Sequence, residues 1–442
     1  MSETPGPRRG RRVVGTVDAG GIYTSRLAGG GDFIFLASTA FDETGGIPAE
    51  VSVPPPYHAS PSAVVRAQTR YIFERYREGL EALDSSIDDI VQLEQYIELK
   101  AHADGYVQVA RGPGFMEKNR PGSLLIQAGH YLPPGAVVST TGMALVPDPA
   151  RGIVKEQFVS ARPGEEGHPA VAGDRGNPSL GFAEIVTGGP YGFATYYPID
   201  YQTGIHPEAR APDWIWWGSE IRQEAQYGAR VLKRRLDAVG SDVSHVVNYT
   251  LYLTDLEDLY EFDLVWRETL GEFAPSRTVV PVRGMGTPRQ EGAKGQAQGA
   301  CKMEIQYRFL RPGFGIDAVP ISTGRGVLGH ESEAVRAGDL LWISEAVAGD
   351  PQRPGPRRPA GVQMAEILER LDETCEAAGS SLRNLLRLRA FVTEPGDAYA
   401  VYGAVKKAIP HDPPCVCVTV VPGPLQVPGC TVLADGVAWI PG

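Results

Sequence analysis

Three stretches of the chain repeat one pattern of apolar and polar positions. Apolar residues recur at intervals of three and four at Ile72, Tyr76, Leu80 and Leu83, at Ala229, Leu232, Leu236 and Val239, and at Ile367, Leu371 and Cys375. That spacing puts each set on one face of a helix, in segments opening at Gln68, Gln223 and Gln363. A small polar turn follows each (Asp84-Ser85-Ser86, Gly240-Ser241-Asp242, Gly379-Ser380-Ser381), then a strand rich in Val, Ile, Leu or Tyr. Ile87, Val243 and Leu382 hold the same place in the three copies, at a domain-sized spacing rather than a solenoid period.

The flanks repeat too. "GDFIFLAST" from Gly31, "PDWIWWGSE" from Pro212 and "GDLLWISEA" from Gly338 predict a strand ahead of each helix. A second helix and two final strands follow: "SLLIQAG" then "AVVSTTGMALV", "SRTVVPV" then "CKMEIQYRF", and "CVCVTVV" then "CTVLADGVAW". The unit is therefore strand, helix, strand, helix, strand, strand, an α+β arrangement. Pro- and Gly-rich joins divide the chain into expected domains at 12–147, 175–311 and 312–442.

Composition narrows the function classes. A net charge of -11 argues against a polyanion-binding surface, so nucleic acid is not an expected partner. The basic "PGPRRGRR" near the start has no apolar run behind it, and no stretch approaches bilayer length, so no membrane partner is expected. Five cysteines without a CxxC pair fit a reducing, cytoplasmic setting. The eight histidines show no metal-ligand spacing, and no Gly-rich turn opens a helix after a strand, so neither metal nor cofactor is expected.

Cys415 and Cys417 alternate on a strand and so face one side, while a disulfide between them would contort the backbone. They are either a reactive pair or small residues filling a core. A nucleophilic thiol needs a base or positive neighbour, and His330 is the plausible local base.

With these phrases laid side by side, the chain resembles the RidA/YjgF family as three tandem domains. The resemblance implies a chorismate-mutase-like fold and a covalent pseudo-trimer forming a barrel with helices outside, able to self-associate further. The "P-x-R" arginine of the family, which clamps a substrate carboxylate, corresponds to Arg277, with Ser123 and Cys415 in its place in the other copies. The family glutamate corresponds to Glu304, with Asp435 and Thr141 elsewhere; its asparagine corresponds to Asp263; its tyrosine to Tyr23, His206 and Glu331. The strand-end pairs Ser219-Glu220 and Ser344-Glu345 take further site positions. The resemblance implies hydrolysis of a small carboxylated imine, enamine or amide in an inter-domain cleft. Arg277, Asp263, Ser219, His206, Ser344 and Glu345 would bind it, while Glu304, Glu220, Glu331, Asp435, Cys415 and Cys417 would supply the chemistry.

Trp214, Trp216 and Trp217 would line a cleft or pack a domain interface. Two other readings stay open: a non-catalytic metabolite-binding or scaffold protein, and a cysteine-dependent enzyme of secondary metabolism or ring catabolism.

Overall fold

The computed structural model describes residues 10–116, 119–129, 131–159, 170–171, 183–200, 204–212, 218–285 and 301–442. Six α-helices are seen among them: α1 (Pro61–Glu81), α2 (His102–Ala110), α3 (Glu220–Asp237), α4 (Leu259–Leu270), α5 (Ala360–Ala377) and α6 (Asp397–Ala408). The first helix of each copy starts upstream of the glutamine that its periodicity marked. Ser60 caps α1 by accepting from the Ala63 amide, and Pro61 occupies the first turn, where an amide has no intrahelical partner. Ser219 caps α3 in the same way through the Arg222 amide.

The strands form three open sheets. The first holds β1 (Arg12–Ala19), β2 (Ile22–Gly30), β3 (Phe33–Thr39), β4 (Ile90–Ile97), β5 (Gly122–Gln127) and β6 (Val138–Leu145). The second holds β7 (Lys155–Val159), β8 (Ala170–Val171), β9 (Ile185–Gly188), β10 (Tyr191–Tyr196), β13 (Val246–Leu253), β14 (Ser276–Pro281) and β16 (Met303–Leu310), with β11 (Ile199–Asp200) and β12 (Gly204–Ile205) pairing separately. The strand β15 (Gly284–Met285) leaves the second copy and pairs with β5 at the edge of the first sheet. The third sheet holds β17 (Ala318–Ile321), β18 (Ala334–Ala337), β19 (Leu340–Val347), β20 (Leu385–Val392), β21 (Cys415–Val420) and β22 (Val432–Trp439).

The second sheet recruits strands from Lys155 onward, upstream of the expected start at 175. No sheet closes among the described residues, so three open sheets are seen and the expected barrel is not confirmed. The expected strand "WIWW", with Trp214, Trp216 and Trp217, lies at 213–217, outside the described residues. Within the described sheet, β10 lies between β9 and β16 as β3 lies between β2 and β6 and β19 between β18 and β22. A glycine with positive φ turns the chain into each of these strands: Gly31 at 61°, Gly189 at 56° and Gly338 at 57°.

Within every copy the strand after the first helix (β4, β13, β20) runs parallel to the next (β5, β14, β21) and antiparallel to the last (β6, β16, β22). This register sets Glu94, Thr250 and Arg389 at matching positions, with Thr141, Gln306 and Asp435 opposite them. Tyr96, Tyr252 and Phe391 match as well, and they meet: Tyr96 lies 6.2 Å from Tyr252 and 6.4 Å from Phe391 between ring centroids.

One apolar core draws from all three lobes, with Phe35, Tyr96, Phe193, Tyr252, Trp342 and Phe391 among its members. Separate cores lie under the helices of each lobe. Each lobe bonds to both others. Met285 pairs with Ile126 at the first seam, the Arg277 amide donates to Ser344 Oγ (2.9 Å) at the second, and Val416 N donates to Thr24 Oγ1 (2.8 Å) at the third. No described helix is long and apolar enough to cross a membrane.

Candidate functional site

Arg277 lies near the start of β14, at the seam between the second and third lobes. On its strand Ser276, Thr278 and Val280 alternate with Arg277 and Val279. Val280 joins the shared core, whereas Val279 packs in the core under α3 and α4. Arg277 therefore turns toward α4, where its Nη1 donates to Asp263 Oδ1 (2.7 Å). Its Nε crosses the seam to Glu331 Oε2 (2.8 Å). Nη2 is buried without a hydrogen-bond partner. Gly329 lies against that end of the guanidinium so closely that a Cβ there would stand 2.2 Å from Nη2. The Tyr249 phenol lies near enough to sense the charge, and burial foremost raises its pKa.

The third lobe adds Ser344 and Glu345 from β19. Ser344 Oγ accepts from the Arg277 amide and donates to the Ser332 carbonyl (2.5 Å). Glu345 accepts from the Val279 amide at Oε2 (2.5 Å) and from Gln426 Nε2 at Oε1 (2.9 Å). Burial, then the nearby Glu331 carboxylate, push Glu345 up to about 8. Burial also raises Glu331, against the pull of Arg277. One guanidinium thus faces more carboxyls than it can neutralise, which favours the protonated form at Glu345. A cavity of about 50 Å³ opens beside them, lined by Leu328, Glu331, Ile343, Ser344, Glu345 and Leu371. His330 belongs to the same cluster: burial, Arg267 and Arg277 lower its pKa, and its Nε2 has no hydrogen-bond partner.

The structure thus brings together Arg277, Asp263, Glu331, Ser344 and Glu345, but not the remaining candidates. Glu304 pairs with Tyr252, three residues beyond the Tyr249 that pairs with Arg277. It also belongs with Gln306 and Arg308 on the opposite face of the sheet, about 10 Å further along at roughly 3.3 Å per residue. The register makes Gln306, not Glu304, the counterpart of Thr141 and Asp435, which corrects the expected alignment. Burial alone raises the Glu304 carboxyl, and its Oε1 has no partner.

Glu220 and Ser219 form the start of α3 instead of a strand end. Glu220 sits 3.9 Å from Lys302, whose carbonyl accepts from Thr254, five residues past Tyr249 and about 17 Å along the strand direction. His206 stacks on Tyr227 of α3 at 4.4 Å and accepts from the Glu208 amide. Asp435 faces the shared core, where it accepts from Thr278 Oγ1 (2.6 Å) and Arg389 Nε (3.0 Å).

The two cysteines share a face, as alternation requires, and that face looks into the first lobe. Cys415 Sγ donates to the Phe35 carbonyl (3.2 Å), and Cys417 Sγ lies 3.6 Å from Ser139 Oγ. Burial raises both thiols, the reverse of what a nucleophile needs. His330 belongs to the Arg277 cluster and is not their base. The register also moves the arginine's counterpart: Arg277 pairs with Tyr249 and Val416 with Leu388 at matching places, so Val416, not Cys415, stands where Arg277 does. The sequence reading missed Tyr249, Gly329 and Gln426. Of these only Gly329, adjoining His330 and Glu331, carried a local signal.

Among the described residues, no group of three or more His, Cys, Asp or Glu is placed to hold a metal ion. No curated protein matches the chain. Among solved structures, a RidA from an Antarctic Psychrobacter is 22% identical over 28% of this chain and 99% of its own, with a TM-score of 0.26. A member of the YjgF/YER057c/UK114 family from Mycobacterium tuberculosis is 22% identical over 28% of this chain and 100% of its own, with a TM-score of 0.24. A chorismatase is 10% identical over 79% of this chain and 93% of its own, with a TM-score of 0.46. Residues 201–290, which include β13, α4 and Arg277, match the family described as Endoribonuclease L-PSP.

Proposed function

We propose that the chain is a hydrolase acting on a small carboxylated imine, enamine or amide at the seam between the second and third lobes. The observation that carries this reading is the buried Arg277, which keeps one donor unpartnered beside two carboxyls whose pKa values burial raises. A substrate carboxylate would take the Arg277 fork by displacing Glu331 or Asp263. Glu345, protonated at neutral pH, would donate its proton to the substrate nitrogen, and neutral His330 would accept one from the attacking water. Water adds to the C=N carbon, the C–N bond then breaks, and an imine yields a 2-oxo acid and ammonia. In this reading the three lobes are RidA-like copies fused into a cytoplasmic pseudo-trimer, with one seam specialised for a pathway substrate.

Ammonia release from 2-iminobutanoate, generated in place, tests it. Glu345→Gln should lower kcat at least tenfold, while Arg277→Lys should chiefly raise KM. Unchanged turnover in both variants would overturn the reading. One observation favours a second reading, a metabolite sensor: the Arg277 fork is already engaged by two carboxylates, so ligand arrival is an exchange that requires no chemistry. Ligand binding in the absence of ammonia release would establish that reading.

A further inference from the structure

The three lobes meet around buried charges that the Arg277 site does not use. Glu94 of the first lobe accepts from Arg308 of the second and from Arg389 of the third, and Arg387 stands 3.5 Å from the same Oε1 that Arg308 engages. Asp435 accepts from Arg389. Among the described residues this network holds the guanidiniums of Arg308, Arg387 and Arg389 against the carboxylates of Glu94 and Asp435, which leaves one positive charge in excess. All five side chains are at most 3% exposed. A buried unpaired charge costs several kcal/mol, so a folded chain requires something to offset it.

The orphan groups show where. Gln92 accepts from Arg308 Nε through Oε1 (3.2 Å), which fixes the orientation of its amide and leaves Nε2 without a partner. Arg387 Nε and Gln306 Nε2 are also buried donors without acceptors, while Gln306 Oε1 is taken by Arg308 Nη2 (2.9 Å). Gln92 and Arg387 hold matching positions on β4 and β20, and both attach to the one Arg308–Glu94 pair. The unmet requirement around this pair is for an acceptor with negative charge. Burial, strengthened by Arg387 and Arg389, lowers Arg308 to about 10 despite Glu94, which agrees with a surplus of positive charge.

We propose that this network binds a compact monovalent anion, halide-sized, held by Gln92 Nε2 and Arg387 Nε beside the Arg308 guanidinium at the junction of the three lobes. The ion acts as a structural pin: it supplies the missing negative charge, and its donors come from different lobes. Interiors are close-packed, so a single-atom anion suits the place and an organic acid does not.

Two measurements test it. Crystals of the full chain soaked in bromide should show an anomalous peak within hydrogen-bond distance of Gln92 Nε2 and Arg387 Nε. Thermal unfolding should move up by several degrees from sodium gluconate to sodium bromide at equal ionic strength. Gln92→Glu would supply the charge covalently and should abolish that difference. Absence of the anomalous peak overturns the proposal, whether or not the variant folds. An equal bromide effect on Gln92→Glu and the parent chain also overturns it.

Discussion

Arg277 and Glu331 come from different lobes, yet Nε and Oε2 are 2.8 Å apart and neither side chain is more than 1% exposed. The pair therefore joins two lobes while forming the floor of the candidate site. Removing the cation strands Glu331 and Asp263 without their partner. Arg277→Ala should cost roughly 3–5 kcal/mol in denaturant unfolding, as breaking a buried pair does. Adding Glu331→Gln should recover part of that loss.

Gly329 tests the same floor without touching charge. Its Cβ would meet Arg277 Nη2 at 2.2 Å and Cζ at 2.8 Å, so the guanidinium must shift. Gly329→Ala should raise KM for a carboxylated substrate about tenfold or more, a loss of ~1.4 kcal/mol in binding. Gly403→Ala on α6, where a Cβ meets nothing within 4 Å, serves as the control.

Glu345 sets a pH signature. Its folded pKa of about 8 stands above the ordinary 4.5, so the folded state holds the proton more tightly. The resulting stabilisation is complete below pH 4.5 and is lost as pH rises toward 8. Stability should fall across that window by up to about 1.4 kcal/mol per pH unit from this group. Glu345→Gln should flatten the curve, which urea midpoints measured at successive pH values would show.

Glu94 gives the opposite sign. Burial alone would raise it, but Arg389, Arg387 and Arg308 together hold it at about 2. Its contribution is present above pH 4.5 and is lost as pH falls toward 2, about 3 kcal/mol in all. Glu94→Gln should remove that acid limb and destabilise the chain at neutral pH.

The cysteines should behave as filler. Cys415 and Cys417 are buried and Cys430 is only partly so. Iodoacetamide should label Cys430 first and reach the other two only on unfolding. Cys417→Ser should leave turnover within about twofold, and a tenfold loss would restore the thiol to the mechanism.

The helices were legible because their buried faces repeat at one period: Ile72, Leu232 and Ile367 are all fully buried. In the second lobe the position matching β3 and β19 belongs to β10, whose "YGFATY" is a weaker strand signal than "WIWW", although the turn glycine before it was visible. Alternation also explains the misplaced Cys415. A one-residue slip in register exchanges faces, and "CVCVTVV" offers a small residue at either phase. Within the site, the charged residues were readable from their type. Tyr249 and Gln426 were not, because contacts between segments far apart in the chain leave no trace in local spacing.

The short strand Gly284–Met285 lies in the second copy by sequence and in the first sheet by pairing, where it covers the edge of β5. Cutting the gene into its three repeats would leave that edge bare and invite strand-to-strand aggregation. Covalent continuity is thus a structural requirement: once a neighbour supplies part of a lobe, the lobes can no longer be separated without exposing what the intact chain covers.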